Sequence, residues 1–501
     1  MEPWSIKICH GSGGGPQEHN VTALLIRSVR SGWNRGSTIA LDAGVHLSAI
    51  TRILEDTQPK GLGTQIPLPH VLESGPFAGL EIQTDCAATN AACVTRHLID
   101  TYLITHPHLD HICGFVINTA GLPVTRPKRI AGLPSTISAF KTHIFNNVIW
   151  PNLSDENNGA GLVTYTRLVE GGSPALGEGA GKGYLEISDD LSVKVFSISH
   201  GHCIERHTHR GSTSSSRFGS VDISSMASPR GVQGSNAASG PSPLLRSSGV
   251  GRSSVIQESE SVCVYDSSAY FIRDSVSGRE VLMFGDVEPD SISLSPRNLG
   301  VWQEAAPRIA NGSLAAIFIE CSYDDSQTDD LLFGHLTPRY IIEEMKVLAT
   351  EVEAIRQTPA KFEPNKKRKR ELEEASRKAS RNIAKPGRDD GPVSPKSIRP
   401  RRSGSGSLPP SESGFDSPQL LSPTAEMSSK EFEANMTPPP LRRHTPNRLK
   451  GLKVVIIHVK EKLLGGEKPG NIILRELLNH EKEAKLGCEF IVSKMGQSLL
   501  F

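Results

Sequence analysis

The sequence predicts an α+β fold in which stacked β-sheets are covered by helices. Three observations lead to this prediction: β-branched runs of strand length recur along the chain, helical stretches are fewer, and strict alternation of strand and helix is rare. The 501 residues are 37% hydrophobic and 22% charged, which is the make-up of a globular protein with a sizeable core. We therefore treat residues 1–501 as one domain that carries two long insertions.

The predicted strands are each bounded by Gly, Pro, Asp or Ser. They are residues 4–9, 22–28, 37–42, 100–105, 191–199, 261–266, 269–274, 280–286, 315–320, 452–459 and 488–493. The stretch IRDSVSGREV, residues 272–281, predicts a hairpin. Helices are predicted at Pro134–Phe145, at Thr337–Val352, where Thr337 can cap and Pro338 takes the first helical position, and at Asn471–Glu483.

Two segments have compositions that predict disorder. Residues 204–260 form a serine-rich insertion with few large apolar residues, too few to offset the entropy of ordering. Residues 361–450 form a second insertion rich in Pro, Ser, Lys and Arg. Residues 351–450 hold 21 Lys and Arg against 13 Asp and Glu, a balance of +8, so the other 401 residues carry −7 of the total of +1. The positive charge is therefore local to one segment.

Composition also excludes some classes of protein. The eight cysteines are scattered without a CxxC pair, which predicts reduced thiols in an intracellular protein. No apolar run approaches the roughly 20 residues of a membrane span, and the start lacks the pattern of a signal peptide. We expect no membrane partner, and a cytoplasmic location. The run KKRKR, residues 366–370, leaves a nuclear location open as an alternative.

The most informative stretch is THPHLDH, Thr105 to His111, which directly follows a predicted strand. His106 and His108 are two residues apart in extended chain, so they point to the same side and can share one ion. Asp110 and His111 stand at a predicted helix start and diverge toward a second position. One loop can therefore serve two metals, whereas a closed structural zinc site would require a Cys pair that is absent here.

Three other predicted strands end in residues that can bind a metal. They are the strands that end at His200, Asp286 and His458. Taken singly, each histidine is more often a core or rim residue, and Asp286 fits a turn. The repetition of a strand followed by a ligand is what indicates a two-metal centre.

These motifs resemble a known family. THPHLDHICG, together with GSGGGPQEHN, ALDAG, FGDVEPD, IFIECSYDD, FGHLTP and IIHVK, resembles the class II cyclic-nucleotide phosphodiesterases, best known from fungi. The likeness covers about residues 5–350 and 451–501. It implies the metallo-β-lactamase fold, a four-layer αββα sandwich, with the two insertions as departures from shorter members of the family.

The resemblance also implies roles for single residues. One zinc would be bound by His106, His108 and His200, and the other by Asp110, His111 and His458, with Asp286 bridging them. His202 competes with His200, and we prefer His200 because it directly follows the strand. Asp110 and His335 are the implied catalytic residues: Asp110 would orient the nucleophile, and His335 would contact the phosphate or protonate the leaving oxygen. For His335, a loop histidine that bonds the backbone is an equal alternative.

The glycine-rich GSGGGP lacks the Lys and Ser/Thr of a P-loop and the spacing of a dinucleotide fingerprint. Its glycines are expected to let the backbone pass close beside the metals. Asn20 and Asp42 are candidate supporting polar groups, although Asp42 also fits a turn. No other cofactor-binding motif is present.

Two zinc ions, the expected cofactors, can lower the pKa of a water between them and generate hydroxide at neutral pH. The hypothesis is hydrolysis of 3′,5′-cyclic AMP, with cyclic GMP as a second candidate, to the 5′ monophosphate. The alternatives are another hydrolase of the same fold, such as a nuclease that processes RNA ends, and a non-enzymatic signalling scaffold. We expect no nucleic-acid partner, since a charge run in a linker is usually solvated, and we leave a homodimer open.

Overall fold

Two seven-stranded sheets form the centre of the molecule. The computed structural model describes residues 6–11, 13–121, 126–206, 260–357, 446–463 and 465–501. With strands numbered along the chain, the first sheet has the spatial order β16 (Ser498–Leu500), β1 (Ile6–Gly11), β2 (Ala23–Ser28), β3 (Thr38–Leu41), β6 (Ile99–Leu103), β7 (Lys128–Gly132) and β8 (Val163–Arg167). Strands β3, β6, β7 and β8 run parallel, and β16, β1, β2 and β3 pair antiparallel.

The second sheet has the same number of strands. Its spatial order is β15 (Glu489–Val492), β14 (Lys453–Ile457), β13 (Leu314–Glu320), β12 (Glu280–Phe284), β11 (Glu260–Asp274), β10 (Leu191–Arg206) and β9 (Leu185–Ser188). Strands β12 to β15 are parallel, and β9 to β12 are antiparallel. A short ribbon of β4 (His70–Val71) and β5 (Glu81–Ile82) stands apart from both sheets.

Helices cover the outer face of each sheet. The structure has α1 (Leu47–Thr57), α2 (Ala87–Cys93), α3 (Leu109–Gly121), α4 (Pro134–Ala139), α5 (Asn298–Ala310), α6 (Pro338–Gln357) and α7 (Pro469–Ala484). The first four pack with the first sheet, and α5, α6 and α7 pack with the second. None of the helices that the structure describes is both long and apolar enough to cross a membrane.

Alternation along the strands produces the layers. On β13, Ala316 and Phe318 belong to the core between the two sheets, while Ile317 and Ile319 face the helices. Successive side chains of a strand point to opposite faces, and both faces of this strand are covered, so its sequence is apolar from Leu314 to Ile319. The αββα sandwich is therefore confirmed.

The structure agrees with the predicted strands more closely than with the helices. The hairpin at 272–281 is confirmed, because β11 and β12 pair antiparallel around it. The runs at 261–266 and 269–274, predicted as two strands, form the single long strand β11. Helix α4 is shorter than predicted, since a π-helical turn follows it at Phe140–Ile144. Helices α6 and α7 begin within two residues of their predicted starts.

Most of the two predicted insertions lies outside the described residues, but their predicted edges need correction. Residues 204–206 and 260 belong to β10 and β11, which pair up to Arg206 and Glu260. Residues 446–450, assigned from sequence to the second insertion, form a turn in which Leu449 is fully buried in the helix-covered core. Polar or basic composition did not reveal that these short stretches complete the fold.

Candidate metal centre

The candidate site lies where strands of both sheets end. Asp42 follows β3, Thr105 lies two residues beyond β6, and Asp286 lies two residues beyond β12. Glu320 is the last residue of β13, and His458 directly follows β14. Strands β3 and β6 are parallel, as are β12, β13 and β14, so their carboxyl ends meet at one edge of each sheet.

Two groups of ligand-type side chains share Asp286. The ligand atoms within each group all lie within 4.8 Å of one another. The first group is His106, His108, His200 and Asp286, and the second is Asp110, His111, Asp286 and His458. All seven residues that were predicted as metal ligands are therefore brought together, although they come from four separate parts of the chain.

Asp42 fixes the orientation of the histidine-rich turn. Its Oδ1 accepts a hydrogen bond from the backbone N–H of Thr105 at 2.8 Å, and its Oδ2 accepts one from the Thr105 hydroxyl at 2.9 Å. The same Oδ2 lies 2.8 Å from Nδ1 of His111. Asp42 is fully buried, so these three hydrogen bonds to Thr105 and His111 take the place of bonds to water. It is more than the turn residue that the sequence also allowed.

His458, in the second group, is held by Thr22, which directly precedes β2 of the first sheet. Nδ1 of His458 lies 2.7 Å from the hydroxyl oxygen of Thr22. His458 has a φ of 56°, in the left-handed region, and Gly14 packs against it so closely that a Cβ would lie 2.7 Å from the His458 carbonyl oxygen. The glycine-rich segment thus passes close beside the candidate site, as predicted. Asn20 instead packs against Gly13.

His200 lies at an irregularity in β10. The register between β10 and β11 shifts between Ser199 and His202, which turns the His200 side chain into the first group. Nδ1 of His200 donates to the carbonyl oxygen of Gly334 at 2.8 Å, so its Nε2 is the atom with a lone pair for a metal. Among the described residues, His202 belongs to neither group and is exposed.

His335 forms a buried pair with Glu320, a residue that the sequence analysis did not single out. Nδ1 of His335 lies 2.8 Å from Oε1 of Glu320, which is fully buried. The Glu320 carboxylate also accepts backbone hydrogen bonds from Val287 and Ser322. A signal was present in the sequence, because Glu320 ends a strand as the other site residues do.

Burial keeps most of the site histidines neutral. It lowers the pKa of His106 and of His458 well below the usual value, and it lowers the pKa of His200 to about 4. Neutral imidazole is the form that binds metals. Burial alone would also lower the pKa of His111, but the carboxylates of Asp286 and Asp42 raise it well above its usual value.

Asp286 carries a negative charge at the centre of the cluster. Burial by itself would raise its pKa, but the surrounding histidines, His458 first and then His111, hold it well below the usual value. Its oxygens lie 3.7 Å from Nε2 of His106, 3.3 Å from Nε2 of His111 and 3.4 Å from Nε2 of His458. A central carboxylate surrounded by imidazoles is a donor set suited to zinc.

The side chains fit a pair of metal ions. Within the described chain, the Nε2 atoms of His106, His111 and His458 are buried and lack hydrogen-bond partners. Buried polar atoms are almost always satisfied, so three unpaired nitrogens aimed at one carboxylate are a donor set that fits a bound cation. In each case Nδ1 is held by a neighbouring oxygen, from Thr105, Asp42 or Thr22, which is the arrangement of metal-binding histidines.

Comparison with known proteins identifies the family. The family model of class-II cAMP phosphodiesterases matches residues 11–360. The chain belongs to the class-II cAMP phosphodiesterases. Of the alternatives stated from the sequence, this membership favours the cyclic-nucleotide phosphodiesterase over the nuclease and the scaffold.

Two similar fungal proteins are 3′,5′-cyclic-nucleotide phosphodiesterases. The 3′,5′-cyclic-nucleotide phosphodiesterase of Schizosaccharomyces pombe is 29% identical over 344 residues, which is 69% of this chain and 75% of the relative. That of Candida albicans is 27% identical over 379 residues, 68% of this chain and 81% of the relative. The crystal structure of unliganded yeast PDE1 has a TM-score of 0.58 at 19% identity, covering 99% of this chain and 100% of that one, and shows the same fold.

Proposed function

We propose that this phosphodiesterase uses two zinc ions to hydrolyse 3′,5′-cyclic AMP, with cyclic GMP as a second substrate, to the 5′ monophosphate. The observation that carries the proposal is the convergence of six ligand-type side chains around Asp286, three of them with unpaired Nε2 atoms. His106, His108 and His200 would hold one ion, and Asp110, His111 and His458 the other, with Asp286 between them. When bound, such ions make water nucleophilic at neutral pH and offset negative charge on phosphoryl oxygens.

Asp110 and His335 would handle the protons. The Asp110 carboxylate is 34% exposed and lies 3.8 Å from Nε2 of His111 and 3.7 Å from Nε2 of His458, so it can reach both the metal group and incoming water. It would orient the nucleophile for attack on phosphorus opposite the 3′ oxygen. The P–O3′ bond then breaks and leaves the phosphate on the 5′ carbon.

His335 would protonate the departing 3′ oxygen. Burial alone would lower its pKa, but the carboxylate of Glu320 raises the pKa above the usual value, which favours a histidine that carries a proton to give. Because Nδ1 is tied to Glu320, the proton would leave from Nε2. General-acid catalysis of this kind contributes about 10²- to 10⁴-fold.

Metal removal tests the proposal. We expect about two zinc ions per purified chain, loss of cyclic AMP turnover with a strong chelator, and recovery when zinc is added back. His106→Ala and Asp286→Ala should abolish turnover and lower the zinc content, whereas His143→Ala, an exposed histidine outside the site, should do neither. Full turnover by metal-free protein, or formation of 3′-AMP, would refute it.

We place this activity in the cytoplasm. Its substrate there would be a small molecule, a cyclic nucleotide. The KKRKR run lies outside the described residues. If it acts as a nuclear import signal, the protein would also be found in the nucleus. A fluorescent fusion with this run replaced by alanines distinguishes the two locations.

A further inference from the structure

A pocket opens beside the first metal group. Its volume is about 580 Å³, which is within the range of small-molecule sites. His108, His200 and His335 line the side of the pocket nearest the metal group. A phosphate held there would therefore leave the rest of a nucleotide inside this pocket.

Phe333 lines the pocket with an exposed aromatic ring and a left-handed backbone conformation. Its side chain is 68% exposed, and its φ of 53° lies in the left-handed region, which costs an L-residue roughly 1–2 kcal/mol. A large aromatic side chain gains nothing from water exposure and pays for that backbone conformation. Such an outlier beside a reaction centre indicates a functional requirement.

The neighbours of Phe333 hold it in this place. Leu332, one residue before, is 1% exposed and packs into the helix-covered core. Gly334, one residue after, packs so tightly that a Cβ would lie 2.7 Å from the backbone N of Gly201 and 2.7 Å from the carbonyl carbon of His200. The backbone is therefore fixed on both sides of Phe333, and this fixes where its ring can lie.

A second aromatic side chain, that of Tyr265 on strand β11, lines the same pocket. Tyr265 lies on β11, is 42% exposed, and has its ring centroid 6.1 Å from that of His108. Ile292, which is 38% exposed, adds an apolar side chain to the lining. Two aromatic rings and an aliphatic group beside a phosphate site are a surface suited to a flat, apolar ring system.

We infer that Phe333 and Tyr265 form the base-binding surface of this phosphodiesterase, with the purine ring of the cyclic nucleotide stacked on Phe333. The inference rests on the proposed function, because the phosphate must sit at the metal groups for the base to reach this surface. Stacking needs only a π-face, so this surface accepts adenine and guanine alike and favours purines, which offer two fused rings, over pyrimidines.

Steady-state kinetics of Phe333→Ala and Phe333→Leu test this inference. We expect KM for cyclic AMP to rise roughly 5- to 150-fold in both, as for removal of one stacked ring. The value of kcat and the zinc content should stay near those of the unmodified enzyme, because neither reports on the base. The control is Leu331→Ala, which removes a 47% exposed apolar side chain from the same segment without touching the pocket lining.

A base-free substrate, methyl riboside 3′,5′-cyclic phosphate, separates stacking from an effect on the metal site. Its turnover should be the same in the unmodified enzyme and in Phe333→Ala. An unchanged KM for cyclic AMP would overturn the inference, whether or not the sedimentation coefficient changes. An equal loss of turnover with cyclic AMP and with the base-free substrate would also overturn it. If the unmodified zinc-loaded enzyme hydrolyses no cyclic nucleotide, the proposed function itself fails, which is a distinct result.

Discussion

At the scale of single residues, the candidate site depends on side chains outside the two groups that share Asp286. Asp42, Thr22, Thr105 and Glu320 each hold one ring nitrogen of a site histidine, and each is buried. Their hydrogen bonds select which nitrogen of each ring faces the cleft. Partners of this kind are typically worth 10- to 100-fold in metal affinity or activity.

Asp42→Asn should therefore weaken zinc binding. The amide keeps the size of the side chain and tolerates the φ of 55°, but it cannot accept hydrogen bonds at both of the former carboxylate oxygens. We expect about 10- to 100-fold weaker zinc affinity in a competition titration with a chromogenic chelator. Asp190→Asn, also left-handed at a φ of 68° and ten residues before His200, is the matched control and should leave the affinity unchanged.

His335→Ala tests which step this residue serves. If it protonates the leaving oxygen, turnover of cyclic AMP should fall about 10²- to 10⁴-fold, because a ribose alkoxide is a poor leaving group. Bis(4-nitrophenyl) phosphate, whose nitrophenolate departs without a proton, should lose less than tenfold. Equal losses with the two substrates would instead assign His335 to phosphate binding or to structure.

At the scale of elements, the segment between β13 and α6 connects the metal groups to the pocket. It contains Phe333, Gly334 and His335, and it packs on β10 at Gly201. Residues at the strand ends form most of the candidate site, and this loop contributes Phe333, Gly334 and His335 beside it. Loops on a rigid sheet edge are the usual carriers of such residues.

Gly334→Ala should disturb the site more than it disturbs folding. The new Cβ would meet the backbone of His200 and Gly201 at 2.7 Å, so β10 or the loop must move. Gly312→Ala is matched, since its φ of 77° is close to the 79° of Gly334 while nothing lies within 4 Å of its Cβ. Both variants should lose roughly 1–2 kcal/mol of unfolding free energy, measured by urea denaturation. Only Gly334→Ala should also lower kcat/KM, by about tenfold or more. Similar kcat/KM values would show that the close packing is unimportant.

At the scale of the whole molecule, the basic insertion leaves and re-enters the fold at neighbouring points. Arg356, near the end of α6, donates to the carbonyl oxygen of Arg448 at 2.7 Å, and Arg448 pairs with Glu353 at 3.2 Å. A short linker can therefore replace the residues between them.

Replacing residues 361–444 with a Gly/Ser linker should leave cyclic AMP turnover and thermal stability within about twofold and a few degrees of the full chain. The reason is that the metal groups and both sheets lie outside this segment. Calorimetry and steady-state kinetics on the two proteins check the expectation. A collapse of turnover would give the basic segment a direct part in catalysis.

Sequence patterns predicted the long apolar strands well and missed several short ones. The long apolar runs at β12, β13 and β14 are covered on both faces and therefore stand out, whereas β7, β8 and β16 were missed because their short, partly polar sequences depend on neighbours for pairing. Helix α3 was anticipated only at its start, and α1, α2 and α5 were missed.

From the sequence alone we predicted which residue types would act as ligands and that they follow strands, because the histidine-rich turn and the apolar strands are local patterns. The folded structure was needed to see that Asp286 lies between the two groups, that His200 rather than His202 turns inward, and that Glu320, Asp42 and Phe333 lie beside the candidate site. These facts depend on the register of strands from two sheets and on close contacts between distant segments. No local pattern of residues records such contacts, since they form only when the sheets stack.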